Sequence, residues 1–130
     1  MATIGNEGIV LLIAEDDDGY FQLMKKKLKR SGMPNKIVRF IDGEEVLLFL
    51  EKQTDTEYLL ILDIRMPKLD GIEVLKRIQQ AGNFINIPIV MHSSTADPST
   101  MELCYSLGCI DYIVKSGNSQ DILQILDYIS

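Results

Sequence analysis

Short apolar runs that alternate with stretches of helical period constrain this chain more than any other feature. "IVLLIA" (9–14) ends in the acids Glu15, Asp16, Asp17 and Asp18 and gives way to "YFQLMKKKLKRSG", in which Phe21, Met24 and Leu28 share one helical face. "KIVRFI" (36–41) precedes "DGEEVLLFLEK", with Asp42 as N-cap and Glu45 three residues on. The strand 58–63 precedes "GIEVLKRIQQAG", where Asp70 and Glu73 repeat the device and Gly82 marks the stop. "IPIVMHS" leads to a helix opened by Asp97 and Pro98. "CIDYIV" leads to one capped by Asn118, with Ile122, Ile125, Leu126 and Ile129 as its core stripe. Five strands alternate with five helices, each strand too apolar to have a wet face. The pattern predicts a three-layer α/β fold: a five-stranded parallel sheet covered on both sides and joined by right-handed crossovers.

With 130 residues, 46% of them hydrophobic, the chain fits one domain with a single sizeable core and leaves no room for a second. It contains no linker, repeat or low-complexity segment. No apolar run approaches the roughly 18 to 20 residues that span a bilayer, and "MATIGNEG" lacks a secretory pattern. A soluble, cytoplasmic protein without a membrane partner is expected. The net charge of −6 argues against direct nucleic-acid binding, which requires cationic side chains to neutralise phosphates. Cys104 and Cys109 match neither a CxxC redox pair nor a zinc site and read as reduced core thiols.

In a parallel sheet all strand ends gather along one edge, where ligands bind. The first strand ends in the acidic cluster, the third in Asp63, the fourth in His92, Ser93, Ser94 and Thr95, and the fifth runs into Lys115. Two carboxylates about 5 Å apart repel by roughly 3 kcal/mol at an effective dielectric near 20, so something positive has to sit among them. Mg²⁺ suits Asp16 and Asp63, because it takes one or two carboxylates, keeps several waters and accepts a phosphate oxygen. Lys115 balances the remaining charge, and one oxygen of Asp63 stays free as a nucleophile toward phosphorus.

These residues resemble a response-regulator receiver domain. The resemblance covers about residues 9–129 and rests on Glu15-Asp16, the "LDIRMPKLDG" turn, Ser93 with Ser94, and Tyr112 three before Lys115. It implies strand order 2-1-3-4-5, as in flavodoxin-like folds, and no output domain. It further implies that Asp63 is phosphorylated by a sensor histidine kinase or phosphotransfer protein. Asp16 would bind Mg²⁺ directly and Glu15 through water, with the backbone carbonyl of Arg65 as another ligand. Ser93 and Lys115 would hold the phosphoryl group, and Tyr112 would turn as Ser93 moves, changing the face of the fourth helix, fifth strand and fifth helix for an unknown downstream protein or a second copy. Catalysis would be confined to accepting phosphate and slowly hydrolysing it.

Two departures stand out. Receivers usually follow the lysine with a proline, often in a cis peptide, whereas here Ser116 precedes Gly117 and Asn118; Ser93 replaces the commoner threonine. "VKSGN" and "FIDGEEV" are similar to the stand-alone receivers associated with bacteriophytochrome kinases.

Plainer readings apply to other features. Asp17 and Asp18 favour the positive end of the first helix, and the basic run Lys25 to Arg30 reads as a solvated face, although the resemblance allows kinase docking there. Met33-Pro34 and Cys104-Tyr105 read as packing. His92 faces away from Ser93 by strand alternation and reads as structural. Tyr112 alone would be an ordinary aromatic, and Asp63 alone a helix-adjacent cap. Among rivals, a haloacid-dehalogenase-type phosphatase wants a second aspartate where Arg65 stands. A nucleotide or flavin binder would meet repulsion from "EDDDGY". A receiver-shaped adaptor working without phosphorylation keeps all the same residues.

Overall fold

The computed structural model describes residues 8–52, 55–82, 87–118 and 120–129; residues 1–7, on which the reading of a missing leader falls, lie outside them. The elements alternate as read: β1 (Val10–Ala14), α1 (Asp18–Arg30), β2 (Ile37–Phe40), α2 (Gly43–Leu50), β3 (Tyr58–Leu62), α3 (Gly71–Ala81), β4 (Ile89–Ser93), α4 (Pro98–Ser106), β5 (Asp111–Val114) and α5 (Gln120–Leu123). Among the described residues the sheet is parallel in the order β2-β1-β3-β4-β5.

Strand alternation divides the core between the two faces of the sheet. Leu12, Ala14, Leu60, Leu62 and Met91 point to one side and meet Val46, Val74, Leu75, Ile78 and Cys104 of α2, α3 and α4. Leu11, Ile13, Leu59, Ile61, Val90 and Ile113 point to the other and meet Phe21, Met24 and Leu28 of α1 and Ile122 and Ile125 of the C-terminal helix. Each fully buried Leu or Ile contributes about 1.5–3 kcal/mol by leaving water, and polar side chains enter the inner strands only at the end of β4, where His92 and Ser93 are buried. β2 lies at the edge, and Ile37, Val38 and Arg39 are only half-buried, so the expectation of two dry faces holds for the inner strands and not for this one. Arg39 uses its exposure to pair with Asp18 at 2.7 Å while its guanidinium lies 4.7 Å from the Phe21 ring centroid.

The caps read from sequence at Asp42, Asp70 and Asp97 are formed, and Asp17, read only as an acid at the helix start, is the cap of α1. Asp17, Asp42, Asp70 and Asp97 accept the backbone N–H groups of Tyr20, Glu45, Glu73 and Thr100 at 2.8 to 3.0 Å. The reciprocal half of the capping box is different: Glu45 accepts from Ile41 N–H at 2.8 Å, one residue before the cap, and Glu73 turns to Arg77 at 3.2 Å. Gly82 ends α3 at φ 69°, the left-handed conformation a side chain disfavours. The last helix is not continuous α, since α5 tightens into a 3-10 helix over Gln124–Tyr128. Ile122 of α5 and Ile125 of the 3-10 helix are both fully buried, and the Tyr128 hydroxyl donates to Asp111 of β5. Cys104 and Cys109 are free and buried, and burial pushes the Cys109 thiol up to about 11, in keeping with inert core thiols. No helix among the described residues is long and apolar enough to cross a membrane.

Candidate functional site

The register of the sheet delivers the site. Ala14 pairs with Leu62 and Ser93 with Val114, and the ladder runs one residue further: Asp63 N–H donates to Ala14 O at 3.2 Å, Glu15 N–H to Phe40 O at 3.0 Å and Lys115 N–H to Ser93 O at 2.9 Å. Glu15, Asp63 and Lys115 are therefore held by strand hydrogen bonds while their side chains leave the sheet at its C-terminal edge. Ligand oxygens of Glu15, Asp16 and Asp63 all lie within 4.8 Å of one another. They open on a cleft of about 570 Å³ that also includes Met66, Ser94 and Lys115.

Asp63 is 6% exposed, and both its oxygens are engaged. Oδ1 accepts the Ile64 N–H at 2.7 Å and Oδ2 accepts the Lys115 ammonium at 2.9 Å. The same ammonium donates to Glu15 Oε1 at 2.7 Å, and Glu15 Oε2 accepts the Asp17 N–H at 3.1 Å. Burial pushes the Glu15 carboxyl up against the opposing pull of Lys115, and the charge of Asp63 adds to the rise. For Lys115, burial works against the charge but the hydrogen bonds to Glu15 and Asp63 outweigh it and hold the ammonium above its usual range. Three carboxylates faced by one ammonium leave a surplus of negative charge, and their oxygens are the hard donors a divalent cation takes. Asp16 is exposed at the mouth, so the arrangement can hold such an ion from the solvent side.

The turn from β3 to α3 is closed by Gly71 N–H donating to Ile64 O at 2.8 Å, with Lys68 at φ 68° and its ammonium 3.7 Å from Asp42. Arg65 borders the cleft on this turn, its side chain exposed. Ser93 lies beneath the cleft, fully buried, and its hydroxyl accepts the Thr95 N–H at 3.2 Å. Tyr112 is also buried and donates to Thr95 O at 2.7 Å, so its ring occupies the inward position. Reading from sequence named Ser94 only as a small neighbour, yet it is Ser94 that lines the cleft.

Three residues without an assigned role in the sequence reading, or with only a structural one, form a buried network beside Lys115. His92 faces away from Ser93, as alternation predicts, and its Nε2 lies 2.8 Å from Asp121 and 3.2 Å from the Tyr20 hydroxyl. Burial holds its imidazole below the usual 6.5, with Asp121 pulling the other way. A base with a depressed folded value contributes stability fully above its unfolded pKa and loses it as pH falls from there through the folded one. Asp121, held low by the bonds from His92 and Ser116 against its burial, runs in the same sense but only below 3.8. The His92 contribution to the thermal midpoint is therefore expected to fall as pH drops from about 7 to 5, against an opposing rise from Glu15, and His92→Met is expected to remove that contribution in melts followed by circular dichroism.

The chain belongs to the response regulator receiver domain family, whose pattern it matches over residues 11–127. The Response regulator Rcp1 of Synechocystis sp. is 29% identical over 99% of this chain and 91% of that protein. The chain spans only 44–45% of the longer transcriptional regulatory proteins it also matches. Among solved structures, the phosphorylated cyanobacterial phytochrome response regulator RcpA superposes with a TM-score of 0.77 at 29% identity, covering 92% of this chain and 89% of that one. The Mn(2+)-bound form of Rcp1 gives 0.77 at 29% identity, covering 92% and 90%. The fold, the acidic cleft and the family together fit phosphoacceptor signalling in a two-component system.

Proposed function

We propose that Asp63 is the phosphoacceptor of a switch that takes phosphate from a sensor histidine kinase or phosphotransfer protein. Asp16, Asp63 and the Arg65 carbonyl hold Mg²⁺, with Glu15 acting through water. When bound, the ion offsets charge on the transferring phosphoryl oxygens. An Asp63 oxygen attacks phosphorus, the P–N bond to the donor histidine breaks, and the histidine nitrogen keeps the electron pair. Lys115 turns from the carboxylate to a phosphoryl oxygen. The Ser93 hydroxyl, now bonded to Thr95 N–H, binds another and draws its loop inward. What supports this reading above all is Asp63 sharing one cleft with Glu15 and Asp16 within 4.8 Å and with Lys115 at 2.9 Å.

Catalysis is confined to accepting phosphate and slow self-hydrolysis. The output face is that of α4, β5 and α5, which carries the exposed apolar residues Leu103, Tyr105, Ile110 and Leu123 over buried Tyr112. A downstream protein or a second copy binds there, and the domain works in the cytoplasm without direct nucleic-acid contact of its own. The likeness to the phosphorylated cyanobacterial phytochrome response regulator RcpA supports a photoreceptor kinase of the bacteriophytochrome type as donor.

The test is incubation with Mg²⁺ and a small acyl phosphate, followed by intact mass. One phosphoryl adduct is expected on the natural chain and none on Asp63→Asn. Absence of an adduct with the cation demonstrably bound would instead support the phosphorylation-independent adaptor, and rapid turnover of assorted phosphate esters the hydrolase.

A further inference from the structure

Asp121 gathers β4, α1 and the loop that carries Lys115. It is 3% exposed at the start of α5. Its Oδ1 lies 2.8 Å from the Ser116 hydroxyl, whose proton it shares with Asn118 Oδ1 at 2.7 Å, and its Oδ2 faces His92 Nε2 at 2.8 Å and the Tyr20 hydroxyl at 3.3 Å. His92 Nδ1 is the one buried side-chain nitrogen or oxygen among the described residues with no hydrogen-bond partner. The ring of His92, 1% exposed, therefore bonds only through Nε2, whose proton points at the carboxylate. With that proton in place the Tyr20 hydroxyl also donates to Asp121, and the face of its ring lies 4.3 Å from the Lys115 ammonium.

Nothing covalent fixes this loop. Ser116 is followed by Gly117 at φ 85°, and the described residues contain no cis peptide bond. Lys115 is held by carboxylates at its tip, but Asp63 ceases to be a carboxylate partner once its oxygen is bonded to phosphorus. The Tyr20 ring does not change with that event.

We propose that Asp121 is a positioning residue, which through the hydroxyls of Tyr20 and Ser116 holds the Lys115 ammonium toward the Asp63 oxygens. It rests on the phosphoacceptor reading of Asp63 and adds to it a tether reaching from β4 and α1 to the loop after β5. His92 orients the carboxylate from the rear, and Ser116 anchors the loop.

The experiment uses the full chain with millimolar Mg²⁺ and acetyl phosphate, with adduct formation timed by intact mass across donor concentrations. Asp121→Asn and Tyr20→Phe are each made alone and with Lys115→Ala. Tyr20→Phe keeps the half-buried ring and its packing and removes only the hydroxyl, so folding is retained. The maximal rate is expected to fall about 10-fold for Asp121→Asn and about 3-fold for Tyr20→Phe, with half-saturation little changed. Both losses are expected to vanish when Lys115 is alanine, because they act through the ammonium. Ser116→Thr, which keeps the hydroxyl, is expected to retain the rate that Ser116→Ala loses. Equal losses with and without Lys115, or none in either single variant, would overturn the proposal. The ammonium resonance of Lys115 in ¹⁵N spectra gives a readout free of phosphorylation: it is expected to be protected from solvent exchange in the natural chain and to broaden in Asp121→Asn. If the natural chain forms no adduct, the phosphoacceptor reading fails, and an ammonium signal indifferent to Asp121 then overturns the tether separately.

Discussion

Lys115→Ala is expected to lose about 3 kcal/mol of stability in the absence of divalent cation, because removing one partner of a buried ion pair leaves its counter-charges desolvated and unpaired. The side chains concerned are 16%, 3% and 8% exposed for Lys115, Glu15 and Asp63, so solvent screens the pair only weakly. The pH dependence carries a definite sign. The Lys115 value is raised on folding, so its contribution is complete below the ordinary 10.5 and is lost as pH rises through the folded value. The difference between variant and natural chain is therefore expected to shrink at strongly alkaline pH. It also shrinks at mildly acidic pH, where the raised value of Glu15 lets that carboxyl protonate once its partner is gone. Adding Mg²⁺ is expected to stabilise the variant more than the natural chain, since the ion then supplies the only positive charge among three carboxylates. Urea unfolding with and without MgCl₂ across pH measures all three. A variant as stable as the natural chain without cation would mean that Lys115 does not hold Glu15 and Asp63 together.

Gly71→Ala is expected to be the most damaging single methyl near the site. A Cβ there would lie 2.2 Å from the Asp63 carbonyl oxygen and 3.0 Å from both the Asp63 carbonyl carbon and Ile64 Cα. These are backbone atoms, which cannot swing aside as a flexible side chain would. The turn after β3 has to open, which also strains the Gly71 N–H bond to Ile64 O. Overpacking of this kind costs about 3 kcal/mol. Because the displaced peptide carries the phosphoacceptor, the rate of adduct formation is expected to fall about 100-fold for a shift near 1 Å. Gly82→Ala is the control: its φ of 69° disfavours a side chain, but no atom lies within 4 Å of the new methyl. Its expected cost is about 1 kcal/mol, with adduct formation unchanged. Thermal melts and intact mass on the two variants separate a steric effect at the site from a backbone preference away from it.

Much of this was legible in one dimension. Runs such as Leu59 to Leu62 are buried on both faces, so they read as inner strands, and Asp42, Asp70 and Asp97 occupy the caps their positions imply. Glu15, Asp16, Asp63 and Lys115 could be grouped from sequence because strand ends in a parallel sheet share an edge. Less was visible in β2, whose position at the edge leaves Arg39 only half-buried, and in the C-terminal helix, which tightens to 3-10 over Gln124–Tyr128.

Sequence alone determined the alternation of strand and helix, the edge at which carboxylates and lysine meet, and the kinship of the chain, because period and strand polarity are local properties. Tertiary structure alone decided that one ammonium spans Glu15 and Asp63, that Ser94 lines the cleft while Ser93 lies below it, and that Asp121 reaches Tyr20, His92 and Ser116 at once. Those contacts join residues up to 101 positions apart. They depend on distances of an ångström or less, which the packing of helices against the sheet sets and no sequence spacing encodes.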